Sequence, residues 1–187
     1  MAFLLKRGFL TGFLPGFLFL TGVVVVWGED YHVGYLLAFC TALSLPLAIG
    51  ILVVSFIIGL VVDSIRDNFI EKWLKSRCRK DIDWDFFYDA PKDKIDILDD
   101  NYYIWYVVRL DLVISLVMII LSTLANVGVK LAKYGVCGVF DKEWIVGPIL
   151  LIVLSIIMII PLWADALELR HEIAEHTHKW RINGPTA

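Results

Sequence analysis

Four long apolar stretches constrain this chain more than anything else in it. They cover residues 8–27, 35–62, 104–129 and 145–164. Each reaches the roughly 20 residues that an α-helix needs to cross about 30 Å of hydrocarbon. Backbone amides and carbonyls in lipid must be satisfied inside their own segment, so such stretches fold as helices. The expected fold class is therefore all-α: a polytopic membrane protein with four transmembrane helices. A mean hydropathy of +0.74 agrees with that reading. Lys6 and Arg7 precede the first stretch like the start of a signal peptide. The run after them is too long for an ordinary signal core, and no small-residue cleavage site follows, so it reads as a retained span. The second stretch has 28 residues, which predicts a tilt or a kink, with Pro46 and Gly50 as the kink site.

Charge placement gives the orientation. The amino terminus, residues 63–103 with the start of the third span, and the tail at 165–187 together hold 14 of the 17 Lys and Arg residues. The other two connections hold only Lys130, Lys133 and Lys142. The positive-inside rule then places both termini and the 63–103 loop in the cytoplasm; the membrane expected is a bacterial-type inner membrane. Little chain remains outside, which excludes a large external ligand-binding domain. A net charge of -3 offers no basis for direct nucleic-acid binding.

Within the loop, residues 63–80 are expected to continue the second span as a helix. Ile65, Phe69, Trp73 and Leu74 share its apolar face. Residues 81–89 then alternate polar and apolar, as a short strand or extended segment would. Ala90-Pro91 ends that segment. Asp99, Asp100 and Asn101 suit the start of the third span. Residues 165–180 read as a solvated amphipathic helix, stopped by Asn183-Gly184-Pro185.

Three groups of residues stand out as candidate sites. Gly8, Gly12 and Gly16 recur every four residues on one face of the first span, which lets another helix approach closely. That helix belongs either to the same chain or to another subunit. Asp63, Arg66, Arg109, Asp111, Asp165, Glu168 and Arg170 bring both signs to the inner ends of three spans. Charges at that depth are costly unless paired or hydrated. They form either ion pairs that fix helix register or a polar vestibule whose pairs exchange. Trp84, Phe86, Phe87 and Tyr88 are too many rings to leave in water. They pack under the bundle, lie in the lipid interface, or anchor a partner.

Catalytic and metal motifs fail on inspection. His171, Glu172, Glu175, His176 and His178 approach a zinc-protease helix, but neither HExxH nor HxxEH is present. Glu172 and His176, four residues apart, leave only a weak metal geometry. Asp81, Asp83 and Asp85 mimic the first half of an EF-hand loop, yet Phe86 and Lys92 stand where its Gly and Glu belong. Cys40, Cys78 and Cys137 have no metal-like or redox spacing. No catalytic residue, metal or cofactor is assigned.

In size, four spans, inside termini and lack of catalytic residues, the whole chain resembles the membrane subunit of the Kiwa anti-phage defence system. That resemblance is architectural and rests on no motif. It implies a tetrameric membrane sensor of phage attachment or envelope disturbance, docked to a soluble effector that binds DNA. The residues alone suggest a non-enzymatic scaffold in the lipid bilayer that self-associates and docks a soluble cytoplasmic protein. The alternative is a small oligomeric channel, with Ser115, Ser122, Thr123 and Asn126 facing a lumen.

Overall fold

The computed structural model describes residues 8–27, 44–77, 82–83, 92–140 and 146–183. Almost all of these residues are helical, and no strand occurs among them. Four helical rods are long and apolar enough to cross a membrane: Phe9–Trp27, Leu45–Arg77, Ile95–Gly135 and Val146–Trp180. The chain is a multi-pass α-helical membrane protein.

The first rod opens as a wide π-helical turn, Gly8–Phe13, and continues as α1 (Leu14–Trp27). Pro15 lacks the N–H of an α-turn, and its ring crowds the carbonyl four residues back. The wider turn ahead of it relieves that crowding. The second rod is α2 (Leu45–Ile65), a π-helical segment Arg66–Ile70, and α3 (Glu71–Arg77). At 1.5 Å per residue this rod is about 50 Å long, enough to cross the hydrocarbon and continue beyond it. The third rod joins α4 (Lys92–Leu98), a π-helical segment Asp99–Tyr103, and α5 (Ile104–Phe140). Gly135, at φ 69°, interrupts α5 in the left-handed region that glycine adopts without strain. The fourth rod is α6 (Val146–Asn183), with Pro161 inside it.

Three expectations need correction. Pro46 does not kink the middle of a span. It lies in the opening turn of α2 after the cap residue Ser44, where its missing N–H has no intrahelical partner to lose. The third rod does not start at Asp99: it is already helical from Lys92, just after Pro91, and Leu98 is buried. The face shared by Ile65, Phe69, Trp73 and Leu74 also does not hold. Leu74 is buried, but Phe69 is 71% exposed and Trp73 50%. The wide turn Arg66–Ile70 rotates the helix beyond it, so inward positions come every four residues at Val62, Arg66, Ile70 and Leu74. Residues 35–43 and most of 81–89, including Trp84, Phe86, Phe87 and Tyr88, lie outside the described residues, as do Cys40 and Cys78.

In space, α6 packs along α5, α5 along α1, and α1 along α2; α2 meets α5 only over a short stretch. The α1–α2 contact is backbone against backbone. A Cβ on Gly16 would run into the Ser55 carbonyl oxygen, and one on Gly59 into the Gly12 backbone. On the other side of α1, Gly22 seats the Ile119 side chain of α5. Gly12 and Gly16 are thus occupied inside the chain. Lipid is as apolar as leucine, so small residues and close backbones hold such helices together.

The glycines set up a graded test. Gly16→Ala and Gly59→Ala each meet backbone, which cannot swing aside, and should cost about 1–3 kcal/mol as overpacking. Gly12→Ala meets only the Phe56 ring and should cost less. Gly50→Ala and Gly128→Ala meet nothing within 4 Å and should be neutral or slightly stabilising. Denaturant unfolding in mild detergent would rank the five; equal costs would show that α1 and α2 are not in backbone contact.

Candidate functional site

The most unusual chemistry lies where the apolar windows end. Arg66 enters the bundle from the π-helical turn below α2, and its side chain is only 5% exposed. Its Nη1 donates to both carboxylate oxygens of Asp111 on α5, at 3.1 and 2.9 Å. The Asp111 side chain is fully buried. Nη2 donates to Asp67 Oδ1 at 2.8 Å and lies 2.6 Å from Asp63 Oδ1. Nε also donates to Asp67, at 3.1 Å. One guanidinium thus gathers three carboxylates from two rods. Arginine suits this role because its donors fan out in a plane and its charge is permanent.

A second node ties three helices together. Arg170 on α6 donates from Nη1 to Glu71 Oε2 on α3 at 2.6 Å and to the Tyr106 hydroxyl on α5 at 2.8 Å. That hydroxyl donates to Glu71 Oε1 at 2.6 Å. The three groups close a cycle in which the tyrosine both accepts and donates. Tyr106 is fully buried.

The seven charged residues singled out in the sequence divide between the two buried nodes and more exposed positions. Asp63, Arg66 and Asp111 share the first node, and Arg170 belongs to the second. Arg109 and Asp165 approach to 3.5 Å at side chains 32% and 49% exposed, where an ion pair contributes little. Glu168 faces outward. Asp67, Glu71 and Tyr106 were missed. No local signal separates Asp67 and Glu71 from the neighbouring charges of the 63–80 helix, and Tyr106 falls inside the apolar stretch 104–129.

Beyond the nodes lies a packed head. Leu74, Ile82, Leu98, Tyr106, Val107, Leu110, Ala166, Ile173 and Ala174 form its core. The helix after residue 165 is therefore not the solvated tail expected from its composition, because Ile173, Ala174 and Thr177 are buried. Thr177 satisfies its hydroxyl on the Ile173 and Ala174 carbonyls of its own helix, both at 3.0 Å. His176 packs at a tilt against Tyr102 and Trp180, at centroid distances of 5.4 and 5.6 Å. Among the described residues no group of three His, Cys, Asp or Glu side chains converges as a metal site would require.

A string of small polar residues follows α5 into the membrane. Ser115 donates to the Asp111 carbonyl and Thr123 to the Ile119 carbonyl, both within the helix. Trp27 of α1 donates to Ser122 at 3.0 Å. Asn126 is buried nearby in sequence, and its Oδ1 accepts no hydrogen bond from the described residues.

The first node makes an ordered set of variants. Arg66→Leu leaves three carboxylates together, one of them fully buried, and should cost about 3–5 kcal/mol. Asp111→Asn leaves Arg66 with Asp63 and Asp67 and should cost clearly less. The double change Arg66→Leu with Asp111→Leu should recover part of the loss, since an uncompensated buried charge is the larger penalty. Tyr106→Phe should cost about 1–2 kcal/mol for the two hydrogen bonds it removes. Unfolding in detergent reads all four; a double variant worse than Arg66→Leu alone would show the pair to be stabilising in itself. No protein-family model matches the chain, and neither curated proteins nor solved structures show a match.

Proposed function

We propose that this protein is a non-enzymatic membrane scaffold and sensor that self-associates and presents its head to a soluble cytoplasmic partner. The single observation that carries the proposal is the way head and spans are joined. Rods two, three and four run from the apolar windows into the head as helices, and their ends share one hydrophobic core. Two buried charge nodes cross-link them where they leave the windows. A shift of any one of these rods therefore moves the core, and a signal needs an element that has two arrangements with different contacts. A place in anti-phage defence, implied by the architectural resemblance, belongs to the same proposal.

The channel reading draws its support from the polar string on α5. Against it, Ser115 and Thr123 are buried within one chain and spend their hydroxyls on their own helix. Ion flux from the purified chain in liposomes separates the two readings.

The docking surface is proposed to include Trp84, Phe86, Phe87 and Tyr88, which follow the core residue Ile82 and the half-buried Asp83. Trp84→Ala with Phe86→Ala should leave membrane insertion intact and abolish co-purification of the partner. Retention of the partner at the wild-type level would remove these rings from the docking surface and turn attention to the outer face of α6 beyond Asp165.

A further inference from the structure

The rotation imposed by the wide turn Arg66–Ile70 leaves Phe69 and Trp73 facing away from the core, amid basic side chains. Their depth follows from the charges. The uncharged runs of α2 and α6 end at Asp63 and Asp165, and that of α5 begins after Asp111; charges are costly deeper in hydrocarbon, so these three residues are taken as one edge of it. Trp163 lies two residues before Asp165. The Trp73 ring lies against it, at a centroid distance of 6.1 Å. So the Trp73 indole is held at the membrane edge although its own backbone lies ten residues past Asp63. Helical side chains lean toward the amino-terminal end of their helix, and here that end is in the membrane. Interfacial depth is where tryptophan is favoured.

The Arg77 guanidinium sits over the same ring, 5.8 Å from its centroid. Lys72 and Lys75 are exposed on adjoining turns. Asp63 and Asp67 bind Arg66, and Glu71 binds Arg170 and Tyr106. The result is a lipid-facing surface with rings at the hydrocarbon edge and a cationic fringe at headgroup depth. Neither a soluble protein nor the head core requires that layering. An anionic phospholipid does, since its chains meet the rings and its phosphate meets the cations.

The geometry points to a binding site for an anionic phospholipid headgroup on the outer face of the Arg66–Arg77 helix, formed by Lys72, Lys75 and Arg77 with Phe69 and Trp73 beneath the acyl chains. It stands apart from partner docking, because it uses no residue of the proposed docking surface.

The test offers detergent-purified full-length protein an equimolar mixture of phosphatidylglycerol and phosphatidylcholine and counts bound lipid by native mass spectrometry. The wild type should retain phosphatidylglycerol preferentially. Lys72→Gln, Lys75→Gln and Arg77→Gln combined should lower that preference by roughly fivefold for each charge removed. The exchange Lys72→Arg, Lys75→Arg and Arg77→Lys should keep it. Phe69→Ala with Trp73→Ala should reduce the total lipid retained. As a control at the other end of the bundle, Lys130→Gln with Lys133→Gln should leave the preference unchanged. An undiminished preference in the triple Gln variant would overturn the proposal, as would an equal loss in the control. Displacement of the lipid by excess glycerol phosphate would also overturn it, because the site would then serve free phosphate.

Discussion

The Arg66–Asp111 pair is the constraint on which the bundle depends. α2 and α5 touch only over a short stretch, because α1 stands between them for most of their length. The arginine side chain is long enough to bridge that gap, and Asp111 is fully buried at its far end. A buried carboxylate without a countercharge would be expensive, so the pair fixes both the depth and the rotation of α5 relative to α2. Once that register is set, the apolar windows of the two helices end together. The Tyr106–Glu71–Arg170 cycle then adds α6 to the same register from the other side.

Two solvents explain why packing differs so much along the rods. In the windows, large residues such as Leu52, Ile57, Leu121, Ile157 and Ile160 face outward, and little apolar area is hidden inside. There is no hydrophobic gain in lipid, so contact relies on shape, as in the backbone contact of Gly16 with Ser55 and of Gly59 with Gly12. Beyond the charge nodes water returns and burial becomes favourable. There the protein builds an ordinary core from Leu74, Leu98, Leu110 and Ile173.

Much of the fold was legible because the membrane imposes a simple rule on composition. Residues 8–27 form the first rod as expected, and three more spans follow. The face of Gly12 and Gly16 was also visible as a close-packing surface, although its partner, Gly59 with Ser55, was not. What the sequence hid was long-range. Glu71 and Arg170 are 99 residues apart, and nothing local marks either as half of a pair. The packed tail was hidden for a different reason. DALELRHEIAEHTHKW is polar enough to live in water, and only its contact with the Tyr102 and Tyr106 face shows that one side does not.

The failed periodicity around Phe69 has a physical cause that reaches beyond one residue. A regular α-helix turns a side chain by 40° for every four positions, so inward residues spaced by four drift out of register. Yet Val62, Arg66, Ile70 and Leu74 all point inward, and so, on the third rod, do Leu98, Tyr102 and Tyr106. Each run contains a wide turn, Arg66–Ile70 or Asp99–Tyr103, that absorbs the drift. Both turns lie outside the apolar stretches, between spans that bury small or polar positions and a head that buries large apolar ones. A wide turn re-aims a helix face without breaking the helix. That is how one rod serves two environments whose packing faces differ, and it keeps the spans and the head mechanically continuous.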